Sequence, residues 1–188
     1  MARWEPNALE RLQQAAATLF VERGYAAVTV AEIADRAGLT KRTFFNHFPD
    51  KREVLFAGAQ TFEDGVVKHL DEADGGLVPI DAAVLALVRG AQGLSGYGGF
   101  ARTRQDLIAS STELQERELI KMAALASAIA RALRRRGVPA RTADLTAKTA
   151  VTVFTTAYED WIDDSAADLT ALMQRSLTDV RVAVSRTV

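Results

Sequence analysis

Apolar residues recur three and four positions apart through most of this chain, and no run of β-branched residues alternates with polar ones. That spacing predicts helices throughout. Leu9, Leu12, Ala16, Leu19 and Phe20 form a first stripe, closed by Gly24 at a C-cap position. Thr29 with Glu32 makes a capping box for a second helix that carries Ile33, Ala34 and Ala37 inward. Gly38 supplies a turn, Thr40 caps a third helix with Phe44 and Phe48 inward, and Pro49 stops it. Asp50 with Glu53 restarts the chain as a long fourth helix through Leu55, Ala59, Phe62 and Val66. A loop at 71–79 leads to a helix over about 81–92, then to a glycine-rich stretch at 90–99 expected to be irregular and mobile. A short helix over about 101–109 precedes Thr112 and Gln115, a second capping-box pair opening a helix through Met122, Leu125 and Ile129. Helices over about 140–162 and 166–184 close an all-α chain of about nine helices.

Composition narrows the class without changing that pattern. The 188 residues are 48% hydrophobic and only 7% aromatic, with four prolines and abundant alanine, which favours closely packed helices over a β-sandwich. No run approaches the ~20 apolar residues of a membrane span, so no membrane partner is expected. The N-terminus is charged and turns amphipathic at once, unlike a signal peptide. With no cysteine there is no disulfide, thiolate zinc site or cysteine nucleophile. A cytoplasmic protein without cofactor or metal is the expectation. The net charge of −1 conceals an asymmetry: residues 1–52 hold eight Arg/Lys and six Asp/Glu, net +2, leaving −3 for the remainder. A positive end on an acidic body suits contact with a polyanion through that end alone.

Residues 29–51 concentrate the polar chemistry. With Phe44 and Phe48 assigned inward, Thr40, Lys41, Arg42, Thr43, Asn46 and His47 remain on the outer side of one short helix. In a helix-turn-helix the second helix sets its N-terminal residues in the major groove. Such side chains donate to phosphates or read base edges, Arg to guanine and Asn to adenine. Each residue also has a plainer reading: Thr29 and Thr40 as caps, Lys51 and Arg52 as solvated charges.

The Leu9–Phe20 stripe, Gly24-Tyr25, the T-V-A-E-I-A run from Thr29 and F-x-x-H-F-P-x-K from Phe44 to Lys51 occur here together. The combination resembles the N-terminal domain of TetR-family transcriptional regulators over residues 7–56 or so. The resemblance implies a homodimer whose N-terminal domains grip double-stranded DNA at a palindromic operator. It also implies a C-terminal domain whose small-molecule effector relaxes that grip. Thr40 then resembles the family's cap of the recognition helix, touching a phosphate, while Lys41, Arg42 and Thr43 occupy groove-facing positions and Lys51 matches a phosphate-binding lysine. Phe45 stands where the family often has a tyrosine, so apolar contact with a sugar or thymine methyl replaces a hydroxyl bond. Thr29, at a helix N-terminus, also suits a phosphate.

A helix-turn-helix domain over 1–52 and a ligand-binding and dimerisation domain over 53–188 follow. Trp161, Leu169, Leu172, Met173, Leu177 and Val180 give the last two helices broad apolar faces, which either cover the body or pair with a second copy. Phe62, Val66, Phe100, Leu107, Met122, Leu125, Phe154 and Tyr158, with Arg104 as a cation, are candidates to line a site for an apolar or amphipathic effector; plain core packing is the competing reading. An enzyme is disfavoured. The acid pairs at Asp71–Asp74 and Asp163-Asp164 fall at predicted helix ends, only His47 and His69 are available, and G-x-S-x-G is absent. A DNA-binding regulator without an effector remains a further alternative.

Overall fold

A computed structural model describes residues 8–92, 98–164 and 166–185, without the side chains of 98–100. Nine α-helices and one 3-10 helix account for the regular structure among these residues, and no strand occurs. The chain forms two compact units: residues up to Gly58 with Thr103–Glu118, and Ala59–Arg102 with the residues from 119 onward. None of the described helices is long and apolar enough to cross a membrane.

The first unit is built on α1 (Ala8–Arg23), α2 (Val30–Arg36) and α3 (Lys41–His47). Its core joins Leu12, Ala16 and Phe20 of α1 to Ile33, Ala34, Phe44 and Phe48. Thr29 caps α2 in the predicted reciprocal box: its hydroxyl accepts from the Glu32 N–H, and the Glu32 carboxylate accepts from the Thr29 N–H. Gly38 makes the turn at φ +65°, a left-handed conformation that suits glycine. Thr40 caps α3 through a bond accepted from the Thr43 N–H.

The predicted long fourth helix is divided. A 3-10 helix (Arg52–Phe56) precedes Gly58, at φ +87°, and α4 (Ala59–Asp71) starts beyond it. A left-handed residue cannot continue a right-handed helix, so Asp50 caps only a short turn, accepting from the N–H groups of Arg52 and Glu53. Val54, Leu55 and Phe56 of that turn are buried with Leu107, Ile108 and Leu114 in the first unit's core. Those three come from the end of α6 (Gly98–Ala109) and the start of α7 (Thr112–Arg135). The Gln115 side chain donates to the Ala109 carbonyl at 2.8 Å, tying the α6–α7 corner where the sequence suggested a second capping box.

The second unit packs α4 on α5 (Pro79–Ala91), α5 on α8 (Ala140–Asp163), and α8 on α9 (Leu169–Val184). Helices α4 and α5 meet at Gly90, where a Cβ would lie 2.8 Å from Val66 and 3.2 Å from the Phe62 ring. The end of α4 is closed by the Arg136 guanidinium, which donates to the carbonyls of Leu70, Ala73 and Asp74. Of the glycine-rich stretch, residues 93–97 lie outside the described part of the chain.

Candidate nucleic-acid interface

Helix α3 is held by its dry side. Phe44 is 0% exposed and its ring centroid lies 5.4 Å from that of Phe48. A helical period then turns Lys41, Arg42, Phe45, Asn46 and His47 outward, and all five are exposed, with Thr40 beside them. Thr43 is half-buried and shares a hydrogen bond of 2.9 Å with the Thr40 hydroxyl. Phe45 is 49% exposed, its ring edge-on to Phe44. An exposed phenyl beside two cations gives this face both apolar and electrostatic reach.

The other described cations of the first unit turn back onto the protein. Arg23 pairs with Glu32, Arg36 with Glu22, and Arg52 with Asp50 and Glu113. Arg11 donates to the Ala37 carbonyl. Arg104 pairs with Glu118, and Arg117 with Glu53. Among the described residues of this unit, no side-chain hydrogen bond or ion pair involves Lys41 or Arg42. An uncompensated guanidinium and ammonium on one helical turn are what a duplex backbone or a guanine edge would take up.

Lys51 and Thr29, both expected at phosphates, are engaged locally. The Lys51 ammonium donates to the carbonyls of Tyr25 and Val28, both at 2.8 Å, and burial holds its pKa below the ordinary lysine value. The Thr29 hydroxyl and N–H both donate to the Glu32 carboxylate at 2.8 Å, which places an acid at the start of α2. That carboxylate's pKa falls to about 2, through the Thr29 hydroxyl first and the Arg23 guanidinium second.

The candidate effector residues are divided between the units. Phe62, Val66, Met122, Leu125, Phe154 and Tyr158 pack into the second unit's main core. Phe62 stacks on Phe154 at 5.3 Å, Phe154 on Tyr158 at 5.8 Å, and Tyr158 meets Trp161 at 5.7 Å. Leu107 is buried in the first unit. Arg104, the candidate cation, is also in the first unit, where it donates to the Leu55 carbonyl and lies 5.0 Å from the Phe56 ring centroid. The Phe100 side chain lies outside the described residues. A cavity of about 260 Å³ that sequence reasoning missed adjoins Trp161, with Val88, Ala91, Asp168, Leu169 and Met173 also in its wall. No periodic signal marks it, because helix ends form it.

The residues expected at a dimer interface are likewise partly committed within one chain. Trp161 is 3% exposed, Met173 0% and Leu177 7%. All three are buried within their own unit. Leu169, Leu172 and Val180 are half-buried. The large apolar residues exposed on α8 and α9 are Leu145, Val182 and Val184.

Residues 12–57 match the family model of bacterial regulatory proteins of the tetR family, and residues 77–184 match that of the MftR C-terminal domain. The chain belongs to the TetR family of DNA-binding transcriptional regulators. Over 59 residues it is 42% identical to the transcriptional activator FasR of Mycolicibacterium smegmatis, covering 31% of this chain but only 27% of FasR. Over 186 residues it is 26% identical to the putative mycofactocin biosynthesis transcriptional regulator MftR of Mycobacterium tuberculosis, covering 93% of this chain and 90% of that protein. Its fold is similar to that of Thermus thermophilus FadR, a TetR-family repressor in complex with lauroyl-CoA. That match has a TM-score of 0.57 at 22% identity and covers 96% of each chain.

Proposed function

We propose that this regulator is a repressor that binds a palindromic operator as a homodimer and is released by a small apolar or amphipathic effector. The observation carrying the DNA half is the division of charge in the first unit: the described cations fold back onto acids and carbonyls, except Lys41 and Arg42 on the outer face of α3. Asn46, His47 and Phe45 complete the reading surface, with Thr40 and Thr43 at its N-terminal end. Thr29 and Lys51 support that surface from behind.

One recognition helix reads only a few base pairs, too few to stand out among genomic competitors. Two related by a two-fold axis read half-sites about 34–36 Å apart or somewhat more. The outer sides of α8 and α9, where Leu145 and Val182 are exposed, are the proposed seat of the second copy. Changing Leu145 and Val182 together to Asp is expected to convert a dimer to a monomer in sedimentation. The effector belongs in the second unit, against the row from Phe62 to Trp161 and the adjoining cavity. Asp168 in that wall, and the engagement of Arg104 elsewhere, favour a neutral ligand. Dodecanol should therefore raise the melting temperature more than lauroyl-CoA does.

Selection of duplexes from a random-sequence pool tests the DNA reading. Enrichment of a two-fold symmetric motif is the expected result. Binding that shows no sequence preference at physiological salt would overturn it.

A further inference from the structure

The helix-turn-helix is gripped at its entrance and its exit by one residue of α7. Glu113 accepts a hydrogen bond of 3.2 Å from the Tyr25 hydroxyl and lies 3.4 Å from the Arg52 Nε. Tyr25 sits in the bend between α1 and α2, its ring edge-on to Phe20 and its carbonyl bonded to the Lys51 ammonium. The same ammonium reaches the carbonyl of Val28, the residue before the α2 cap Thr29. Arg52 follows the end of α3 and pairs with Asp50. Glu113 thus reaches the start of α2 through Tyr25 and Lys51, and the segment after α3 through Arg52. Beside it, Arg117 pairs with Glu53 and Arg104 donates to the Leu55 carbonyl, so the α6–α7 corner holds the 3-10 turn along its length. Burial first, and the Glu113 charge second, push the Tyr25 phenol above its ordinary pKa, so it stays a donor across the physiological range.

We propose that Glu113 is a positioning residue for DNA binding: the α6–α7 corner sets the placement of α2 and α3 through the Glu113–Tyr25 and Glu113–Arg52 contacts. Glu113 touches no DNA. It carries the position of the corner into both ends of the reading head. The proposal rests on the DNA-binding reading above and deepens it.

The test is a double-mutant cycle with Glu113→Gln and Tyr25→Phe in the full chain, using a duplex that the unaltered protein selects from a random pool. Each single change is expected to weaken binding three- to tenfold. The slope of log affinity against log salt should not move, because no phosphate contact is lost. The double variant should bind no more weakly than the weaker single, since both changes cut one link. Glu113→Asp, which keeps the charge on a shorter arm, should recover part of the loss, which a helix-propensity effect would not. Singles that bind like the unaltered protein, effects that multiply in the double, or a changed salt slope would each overturn the assignment. If Tyr25→Phe melts below the assay temperature, the Gln and Asp changes at Glu113 decide the matter by the same slope and rescue. Failure of the unaltered protein to select any duplex sinks the DNA reading instead, so the two failures are distinguishable.

Discussion

The Lys51 ammonium lies 4.1 Å from the centroid of the Tyr25 ring while donating to the carbonyl of the same residue. A cation over an aromatic face with two carbonyl acceptors is a closed local arrangement. It fastens the start of the 3-10 turn to the bend before α2. The lysine's chemistry is thereby directed at the protein's own backbone.

Lys51→Met keeps the stem and removes the ammonium, taking that donor from the Val28 carbonyl and leaving the Tyr25 carbonyl only the Val28 N–H at 3.5 Å. Hydrogen bonds to charged groups contribute about 1.5–3 kcal/mol, and partial exposure places the expected loss of stability at the lower end. DNA binding should weaken with it, while the salt slope stays constant. Thermal unfolding and a salt titration check both; a slope reduced by about one would return Lys51 to the phosphates.

The α2 capping box makes the first unit acid-sensitive. The Glu32 pKa falls from 4.5 to about 2 in the folded chain, so this carboxylate favours folding above its unfolded value. Its contribution is lost as the pH drops from about 4.5 toward 2. Glu32→Gln is expected to flatten the stability-against-pH curve in that window and to leave the neutral side nearly level. Acid titration followed by circular dichroism reads the difference.

Arg42→Ala and Phe44→Ala should fail in opposite ways. Arg42 is exposed, so its removal should leave stability within about 0.5 kcal/mol. It should cost about 1–3 kcal/mol of operator binding and relax selectivity at one position of each half-site. Phe44 is wholly buried, and truncating it should cost about 3–5 kcal/mol of stability. Melting curves beside gel shifts separate the two.

At Gly90, helix propensity and packing compete. Alanine gains up to about 1 kcal/mol over glycine inside a helix. The added methyl would press on Val66, a β-branched side chain with 0% exposure. Overpacking of that kind costs about 1–3 kcal/mol, so Gly90→Ala is expected to lower the melting temperature. The more pliant Phe62 ring alone would not decide the sign.

The first unit was largely legible because its determinants are local. Thr29 and Glu32 are three residues apart, Gly38 sits where a left-handed turn is required, and Phe44 and Phe48 are one helical turn apart. What local pattern leaves open depends on partners distant in sequence. Lys51 reads as a solvated cation or a phosphate ligand until the carbonyls of Tyr25 and Val28 are brought beside it. Arg104 and Leu107 read from local spacing as candidate ligand contacts, yet they close against Leu55 and Phe56. Gly58 is a visible signal, a glycine inside an expected helix, and the fourth helix divides there. For α8 and α9, periodicity shows which faces are apolar but not whether the chain covers them itself. Trp161, Met173 and Leu177 are covered by the chain, while Leu169, Leu172 and Val180 are covered in part.

The stacked row from Phe62 through Phe154 and Tyr158 ends at Trp161, one of only two tryptophans in the chain. An indole shielded from water at the end of a stack emits at a wavelength set by its nearest neighbours. Occupancy or rearrangement anywhere along the row should therefore reach a fluorophore that the protein already carries, and titrating compounds against its emission would follow the second unit without any attached dye.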